Sequence, residues 1–251
     1  MPGPTISLVI PALNEARGIV STVRRAPREI HEIIVVDGGS QDGTADLARQ
    51  AGAKVIVETR RGYGLAYKRG FDAATGDVIA TADADGTYPV EMIPEIVDFL
   101  IRKDLNFVSC SRFPLANGKA MRGLNRLGNI GLSLAASILY LHFFRDVCSG
   151  MWVFRRSLID KLDLHSDGWT FSNELKLESY FTEPDRYAEF MIPYDERVGP
   201  THNVTVWKTG LQVLAFMAHA RFNHFMRARV SKTRVAFDGR RPEGVNDKHE
   251  V

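Results

Sequence analysis

Short apolar runs alternate with helical patterns four times in the first half of the chain, and the links between them are short. Thr5-Ile-Ser-Leu-Val-Ile-Pro11, Glu32-Ile-Ile-Val-Val-Asp37, Ala53-Lys-Val-Ile-Val-Glu58 and Asp77-Val-Ile-Ala-Thr-Ala82 read as strands. The stretches to about Arg25, from Ala45 to Ala51, and from Leu65 to Ala74 read as the intervening helices, with a fourth from Glu91 to Lys103 opened by Pro89. Runs this uniformly apolar are buried on both faces, as in a parallel sheet. Strand–helix repetition predicts a doubly wound α/β fold, and right-handed crossovers place the strand ends on one rim.

Ligands of open α/β sheets bind outside that rim. Asp83 and Asp85 stand on it, one residue apart, at the end of the fourth strand. Two close carboxylates repel each other unless a cation neutralises them, and oxygen-only ligands suit Mg²⁺ or Mn²⁺. A solvated acidic turn is the competing account of Asp-x-Asp. Asp37 ends the second strand beside a glycine-rich turn, and Gly62-Tyr-Gly64 opens the third helix next to Arg60 and Arg61. Carboxylates in such positions accept hydrogen bonds from a base or ribose, and glycine turns at helix N-termini can hold phosphate. The turn after the first strand, Ala12-Leu-Asn-Glu-Ala16, has no glycine. That argues against a dinucleotide-binding fingerprint.

The second half is less regular. Leu105 to Ser111, Gly150 to Arg155 and Arg186 to Tyr194 read as further strands, with Arg112 and Arg197 just past the first and last of them. Arg122 and Arg126 are four apart on one helix face, a pairing suited to phosphate or to plain solvation. From Leu127 to Phe144 there is no formal charge, yet Asn129, His142, two glycines and two serines make a core or interfacial helix the expectation rather than a span. A second apolar helix, Trp207 to Met226, carries the stripe Trp207, Leu211, Leu214, Ala218, Phe222 and Phe225 and ends in Arg227, Arg229, Lys232 and Arg234. It fits either an anionic membrane surface or a core with a basic end. The segment Trp169 to Glu174 leads into a helix through Tyr180 that carries Glu174 and Glu178.

Net charge bears on partners. A balance of +2 over 251 residues implies no nucleic acid. Cys110 and Cys148 are too few for a disulfide framework and read as buried thiols of a reducing compartment. The N-terminus shows no basic region followed by an apolar run, so no signal peptide is expected.

The rim motifs together resemble the family 2 glycosyltransferases of the GT-A fold. The matching residues are Ser7-Leu-Val-Ile-Pro11 with Asn14-Glu15, Val35-Val-Asp37 through Gly43-Thr44, and Asp83-Ala-Asp85. The resemblance implies a Rossmann-like open sheet, mostly parallel, with helices on both faces. It implies that Pro11, Glu15 and Asp37 line the base and ribose of a nucleoside diphosphate sugar, GDP- or UDP-linked. It also implies that Asp83 and Asp85 hold Mg²⁺ or Mn²⁺ on the diphosphate. Later stretches are similar to the polyprenyl-phosphate (dolichyl-phosphate) hexosyltransferases: Gly62 to Lys68, Ser111-Arg112-Phe113, Arg122 with Arg126 and Asn129, Ser149-Gly150 through Arg155, and Tyr194 to Gly199. Three departures stand out. Gly38 follows Asp37 where the family has a second acid. Pro200-Thr201-His202 replaces a Ser-Lys, leaving His202 where a phosphate-binding lysine would be. Thr87 stands where some relatives carry a metal-shell Gln.

The expectation is therefore one GT-A-type domain over 1–234, with a nucleotide-sugar half (1–115), an acceptor half (116–200) and a C-terminal apolar, basic helix (201–234), then a mobile tail (235–251). By resemblance it would move a hexosyl unit, mannose before glucose, to polyprenyl phosphate with inversion. Arg112, Arg126 and Arg197 would orient the acceptor phosphate at the anomeric carbon beside Asp85. Gly62, Lys68, Arg122, Glu174 and His202 would complete the substrate site. The protein would sit peripherally on the cytoplasmic face of a membrane, with a membrane-embedded partner subunit left open. Two alternatives remain: a hydroxyl acceptor with Glu174 as base, and a non-catalytic sugar-nucleotide-binding subunit.

Overall fold

The structure is a computed structural model and describes residues 3–115, 121, 123–197 and 209–224. Its elements are β1 (Ile6–Ala12), α1 (Ile19–Arg25), β2 (Glu32–Asp37), α2 (Thr44–Gln50), β3 (Lys54–Val57), α3 (Tyr63–Ala73) and β4 (Val78–Thr81). There follow α4 (Ile93–Arg102), β5 (Phe107–Ser111), α5 (Gly123–Tyr140), β6 (Trp152–Arg155), α6 (Phe171–Thr182), β7 (Tyr187–Met191) and a last helix, α7, over 209–224.

One seven-stranded sheet holds them, in the order β3-β2-β1-β4-β6-β5-β7. The first four strands pair in parallel, as the alternating pattern requires. β6 runs antiparallel to both β4 and β5, and β7 is parallel to β5. This reversal matters for the site. It brings the start of β6, around Gly150, to the same rim as the ends of β4 and β5. Nothing in the local pattern of Gly150 to Arg155 distinguishes the two directions.

Helices cover both faces. Ile19 and Val23 of α1, Ala48 of α2 and Ile93, Ile96 and Leu100 of α4 pack with Leu8, Ile10, Val35 and Val108 on one face. Tyr67 and Phe71 of α3, Ala136 of α5, Phe171 and Leu175 of α6 and Met217 of α7 pack with Val9, Ile34, Val36 and Trp152 on the other. Each valine, leucine, isoleucine or methionine so buried contributes about 1.5–3 kcal/mol. Cys110 is buried, Cys148 half-buried, and both are free thiols.

Two helix boundaries differ from expectation, and the α7 stripe, which the sequence left open between surface and core, takes the surface. The helix after β4 begins as a 3₁₀ turn at Val90–Met92, and the proline in its first α-turn is Pro94, not Pro89. The helix expected over Leu127 to Phe144 starts at Gly123, taking in Arg126, and stops at Tyr140, where Leu141 takes a left-handed conformation (φ 53°). The stripe on α7 does not face the core: Val213 and Met217 do, while Leu211, Leu214 and Phe222 are exposed. Trp207, Phe225, the basic end and the expected mobile tail lie outside the described residues. Among the described residues no helix is long and apolar enough to cross a membrane.

Candidate active site

β4 is buried throughout and delivers Asp83 and Asp85 to the rim. Asp85 is fixed by its own turn: its Oδ1 accepts from the Thr87 backbone N–H at 3.1 Å and from Thr87 Oγ1 at 2.7 Å. Its Oδ2 accepts from Arg197 Nη1 at 3.0 Å. Arg197 also pairs with Glu15, so one guanidinium bridges the β1–α1 turn and the β4 end. Arg197 Nε is buried with no partner among the described residues.

Asp83 sits in a ring of tyrosines. Tyr63 donates its hydroxyl to Asp83 Oδ1 at 3.2 Å. A Cβ on Gly150 would lie 3.4 Å from both Asp83 oxygens and 3.0 Å from the Tyr63 hydroxyl. A side chain there would crowd the Tyr63 hydroxyl. Gly150 is tied there by its N–H to Tyr88 Oη (2.7 Å) and by its carbonyl, which accepts from Thr81 Oγ1 (3.0 Å). Burial, and next the charge of Asp85, push the Asp83 carboxyl up to about 7. A carboxylate held this way has a strong demand for a cation.

Asp37 uses one oxygen structurally: Oδ2 accepts from the backbone of Gly39 (3.0 Å) and Ser40 (2.9 Å). Its Oδ1 is buried with no partner among the described residues. Such an orphan costs free energy unless a ligand donor meets it. Pro11 lies half-buried one step before the Ala12–Asp37 pair of the β1–β2 ladder. Pro11, Glu15, Asp37, Asp83, Asp85 and Arg197 thus share one rim.

Other expected residues have different work. Arg112 is buried and its fork grips Asp146, Nε to Oδ2 at 2.7 Å and Nη2 to Oδ1 at 2.9 Å, with its own N–H on the same carboxylate. Its guanidinium lies 5.2 Å from the Tyr194 ring centre. The expectation that it grasps a phosphate by its fork is corrected: what reaches the rim is its charge. Asp146 is fully buried, and Lys176, also fully buried, donates to the carbonyls of Asp146 (3.3 Å) and Val147 (2.6 Å). Removing one partner of such a buried pair costs ~3–5 kcal/mol.

Gly62 and Lys68 are likewise corrected. The chain at 165–168 lies against the start of α3, where a Cβ on Gly62 would be 2.5 Å from the Asp167 carbonyl and one on Gly64 2.6 Å from that of Ser166. Leu65 N–H is already used by Asp167 O at 3.1 Å. Lys68 pairs with the Asp167 carboxylate at 3.0 Å. The glycines admit a protein segment there. Glu174 holds the same segment: its two oxygens accept the N–H groups of His165 (3.0 Å) and Ser166 (2.8 Å). It is buried and engaged, which corrects its reading as a rim-lining group or base. Arg126 is exposed in the first turn of α5. Arg122 and His202 lie outside the described residues.

The sequence reading missed Tyr63, Tyr88, Thr87 as a holder of Asp85, and the buried Asp146 and Lys176. A signal existed for Tyr63, between two glycines. Asp146 had none, because its partner is 34 residues away.

Among the described residues no group of three or more His, Cys, Asp or Glu is placed to hold a metal. The oxygen pair at Asp83 and Asp85 still fits a hard divalent cation. Asp83 is short of positive charge, and Asp85 already draws a cationic guanidinium to its outer oxygen.

Sheet order and rim chemistry define a glycosyltransferase of the GT-A fold. The Glycosyl transferase family 2 profile matches residues 7–163, and the chain belongs to that family. A dolichyl-phosphate hexose transferase of Haloferax volcanii is 35% identical over 202 residues, covering 78% of this chain and 85% of that protein. The low-salt glycan biosynthesis hexosyltransferase Agl6 of the same organism is 30% identical over 224 residues, 85% of this chain but only 53% of its own length. Among solved structures, glucosyl-3-phosphoglycerate synthase from Mycobacterium tuberculosis, in complex with Mn²⁺, UDP and phosphoglyceric acid, superposes with a TM-score of 0.71 at 25% identity, over 87% of this chain and 78% of that one.

Proposed function

We propose that this glycosyltransferase moves a hexosyl unit from a nucleoside diphosphate sugar to a polyprenyl phosphate, with inversion, at a membrane surface. One observation carries the reading. The segment 145–150 meets Asp83 at Gly150 and meets α5 at Val147, whose N–H donates to Ser133 Oγ at 3.0 Å. The cation-seeking rim is therefore tied directly to a helix with an exposed apolar face. Leu124, Leu127, Ile130, Leu134 and Ile138 recur at three- and four-residue spacing along that face, with Leu141 just past its end, and all are exposed. α7 docks beside it, with Tyr140 Oη donating to Met217 O (2.7 Å) and Arg221 Nε to Leu139 O (3.0 Å), and adds exposed Leu211 and Phe222. Patches of this size on a single chain mark an interaction surface. Hydrocarbon beside a basic site is what a lipid phosphate requires.

Asp83 and Asp85 would hold Mg²⁺ or Mn²⁺, as the Mn²⁺ and UDP of the mycobacterial relative suggest. A divalent cation there offsets charge on the leaving diphosphate. Asp37 Oδ1 would take a donor from the base or ribose. Arg126 and Arg197 would orient the acceptor phosphate for attack from the opposite face of the sugar. Displacement from that face inverts the anomer. The acceptor phosphate is already an anion at pH 7, so no general base is needed; the engagement of Glu174 by two backbone N–H groups agrees with that. Mannose is favoured over glucose on the names of relatives that include a dolichol-phosphate mannosyltransferase of Pyrococcus furiosus, 26% identical over 196 residues. The cytoplasmic face is proposed because nucleotide sugars are the donor.

The mycobacterial relative's phosphoglyceric acid favours a second reading, transfer to a hydroxyl acceptor. Calorimetry with GDP-mannose and UDP-glucose, with and without chelator, tests the donor side. One of them should bind, more tightly with Mn²⁺. Asp37→Asn should then weaken it by ~1–3 kcal/mol, because the orphan acceptor becomes a donor. Absence of binding by either sugar nucleotide would refute the donor assignment.

A further inference from the structure

Trp169 has no place in the core and none in the reading above. Its indole is 57% exposed. It nevertheless lies flat on Tyr63, with ring centres 4.6 Å apart and planes 20° from parallel. Tyr63 in turn donates to Asp83 Oδ1, so a single tyrosine ring separates the indole from the carboxylate.

The mount is firm. The segment before Trp169 is pinned by the two N–H bonds to Glu174, by Leu65 N–H on Asp167 O, and by the Lys68–Asp167 ion pair. Gly62 and Gly64 let that segment lie against α3, where any side chain would collide with it. Four separate contacts therefore hold one exposed aromatic ring beside the rim. An indole left half in water next to a polar site is a surface waiting for a partner with both an apolar and a polar side. A hexose ring has both: C–H groups on its faces and hydroxyls at its edge. Within a donor whose diphosphate sits at Asp83 and Asp85, the sugar is the next unit along.

We infer that Trp169 is the stacking platform for the transferred hexose and so a specificity-determining residue, with Tyr63 as its backing. The inference rests on the nucleotide-sugar reading of the rim. Stacking acts on the sugar and not on the nucleotide, which gives the test.

Affinities of UDP, UDP-glucose, GDP and GDP-mannose would be measured by calorimetry in the presence of Mn²⁺, for wild type and for Trp169→Ala, Trp169→Leu and Trp169→Phe. The expected result is a loss of about three- to tenfold for the sugar nucleotide that wild type binds. It should appear in the Ala and Leu variants, be largely restored by Phe, and be absent for the matching nucleoside diphosphate. Leu keeps apolar bulk over Tyr63, so it covers the case in which Ala disturbs folding; melting temperature is followed for all three. Equal affinities in all variants would overturn the inference, as would parallel losses for nucleotide and sugar nucleotide. If wild type binds the diphosphates but neither sugar nucleotide, it is the donor reading that fails, and the platform fails with it.

Discussion

The rim of β1–β4 and the outer face of α5 and α7 are built on opposite rules. At the rim, charged side chains are cross-linked, some buried (Asp85, Arg112, Asp146) and some half-buried: Glu15 to Arg197 to Asp85, Arg112 to Asp146, Asp83 under Tyr63. On the helices, leucines and isoleucines stand in water. Burying charge and exposing hydrocarbon both cost free energy in the isolated chain. The charges at the rim are largely offset by their own ion pairs, whereas the exposed hydrocarbon has no such offset among the described residues. On the proposed reading, donor and acceptor functions should therefore break separately.

The largest separation should come from Asp85→Asn. Asparagine Oδ1 can keep both Thr87 hydrogen bonds, but the oxygen that pairs with Arg197 is lost together with the anionic ligand. Transfer should fall by orders of magnitude, far beyond what the drop in melting temperature from that lost ion pair explains, with no change in vesicle binding. Full activity in EDTA would remove the cation from the account.

Next in size is the helix face. Leu127→Asp with Leu134→Asp should reduce binding to anionic vesicles, each leucine having contributed about 1.5–3 kcal/mol if it inserts. Donor affinity should stay at the wild-type level. Vesicle binding that is unchanged in a sedimentation assay would make the stripe an interface for something other than lipid.

The smallest effect on chemistry is expected at Glu174. Glu174→Gln replaces one of two oxygens that accept backbone N–H groups, so stability should drop by about 1–3 kcal/mol. Transfer to a lipid phosphate should persist below the new melting temperature. Abolished transfer in a protein that melts normally would restore Glu174 as a base.

The two regions also differ in how far the sequence revealed them. β2 has the expected bounds, Glu32 to Asp37, because a continuous apolar run flanked by a glycine turn allows little else. Asp83 and Asp85 were legible for the same reason: a carboxylate pair that ends a buried strand must lie on the rim. Direction was not legible for β6, since antiparallel and parallel central strands share one composition. Nor were the roles of Arg112, Lys68, Gly62 and Glu174. Each depends on a partner distant in sequence: Asp146, Asp167 and the segment 165–168. An arginine at a strand end reads alike whether it will meet a phosphate or an aspartate. The stripe on α7 was seen, but periodicity does not tell which of two apolar faces turns inward; Val213 and Met217 took the core.

The central claim joins both regions in one reaction, and one measurement addresses it directly. The protein is incubated with radiolabelled GDP-mannose or UDP-glucose, Mn²⁺, and equal amounts of a polyprenyl phosphate in vesicles and of phosphoglyceric acid, and the organic and aqueous phases are counted. The account predicts label in the organic phase, dependent on the cation and on the phosphate of the lipid. Label that stays in the aqueous phase on phosphoglyceric acid, with the lipid unmodified, would contradict it.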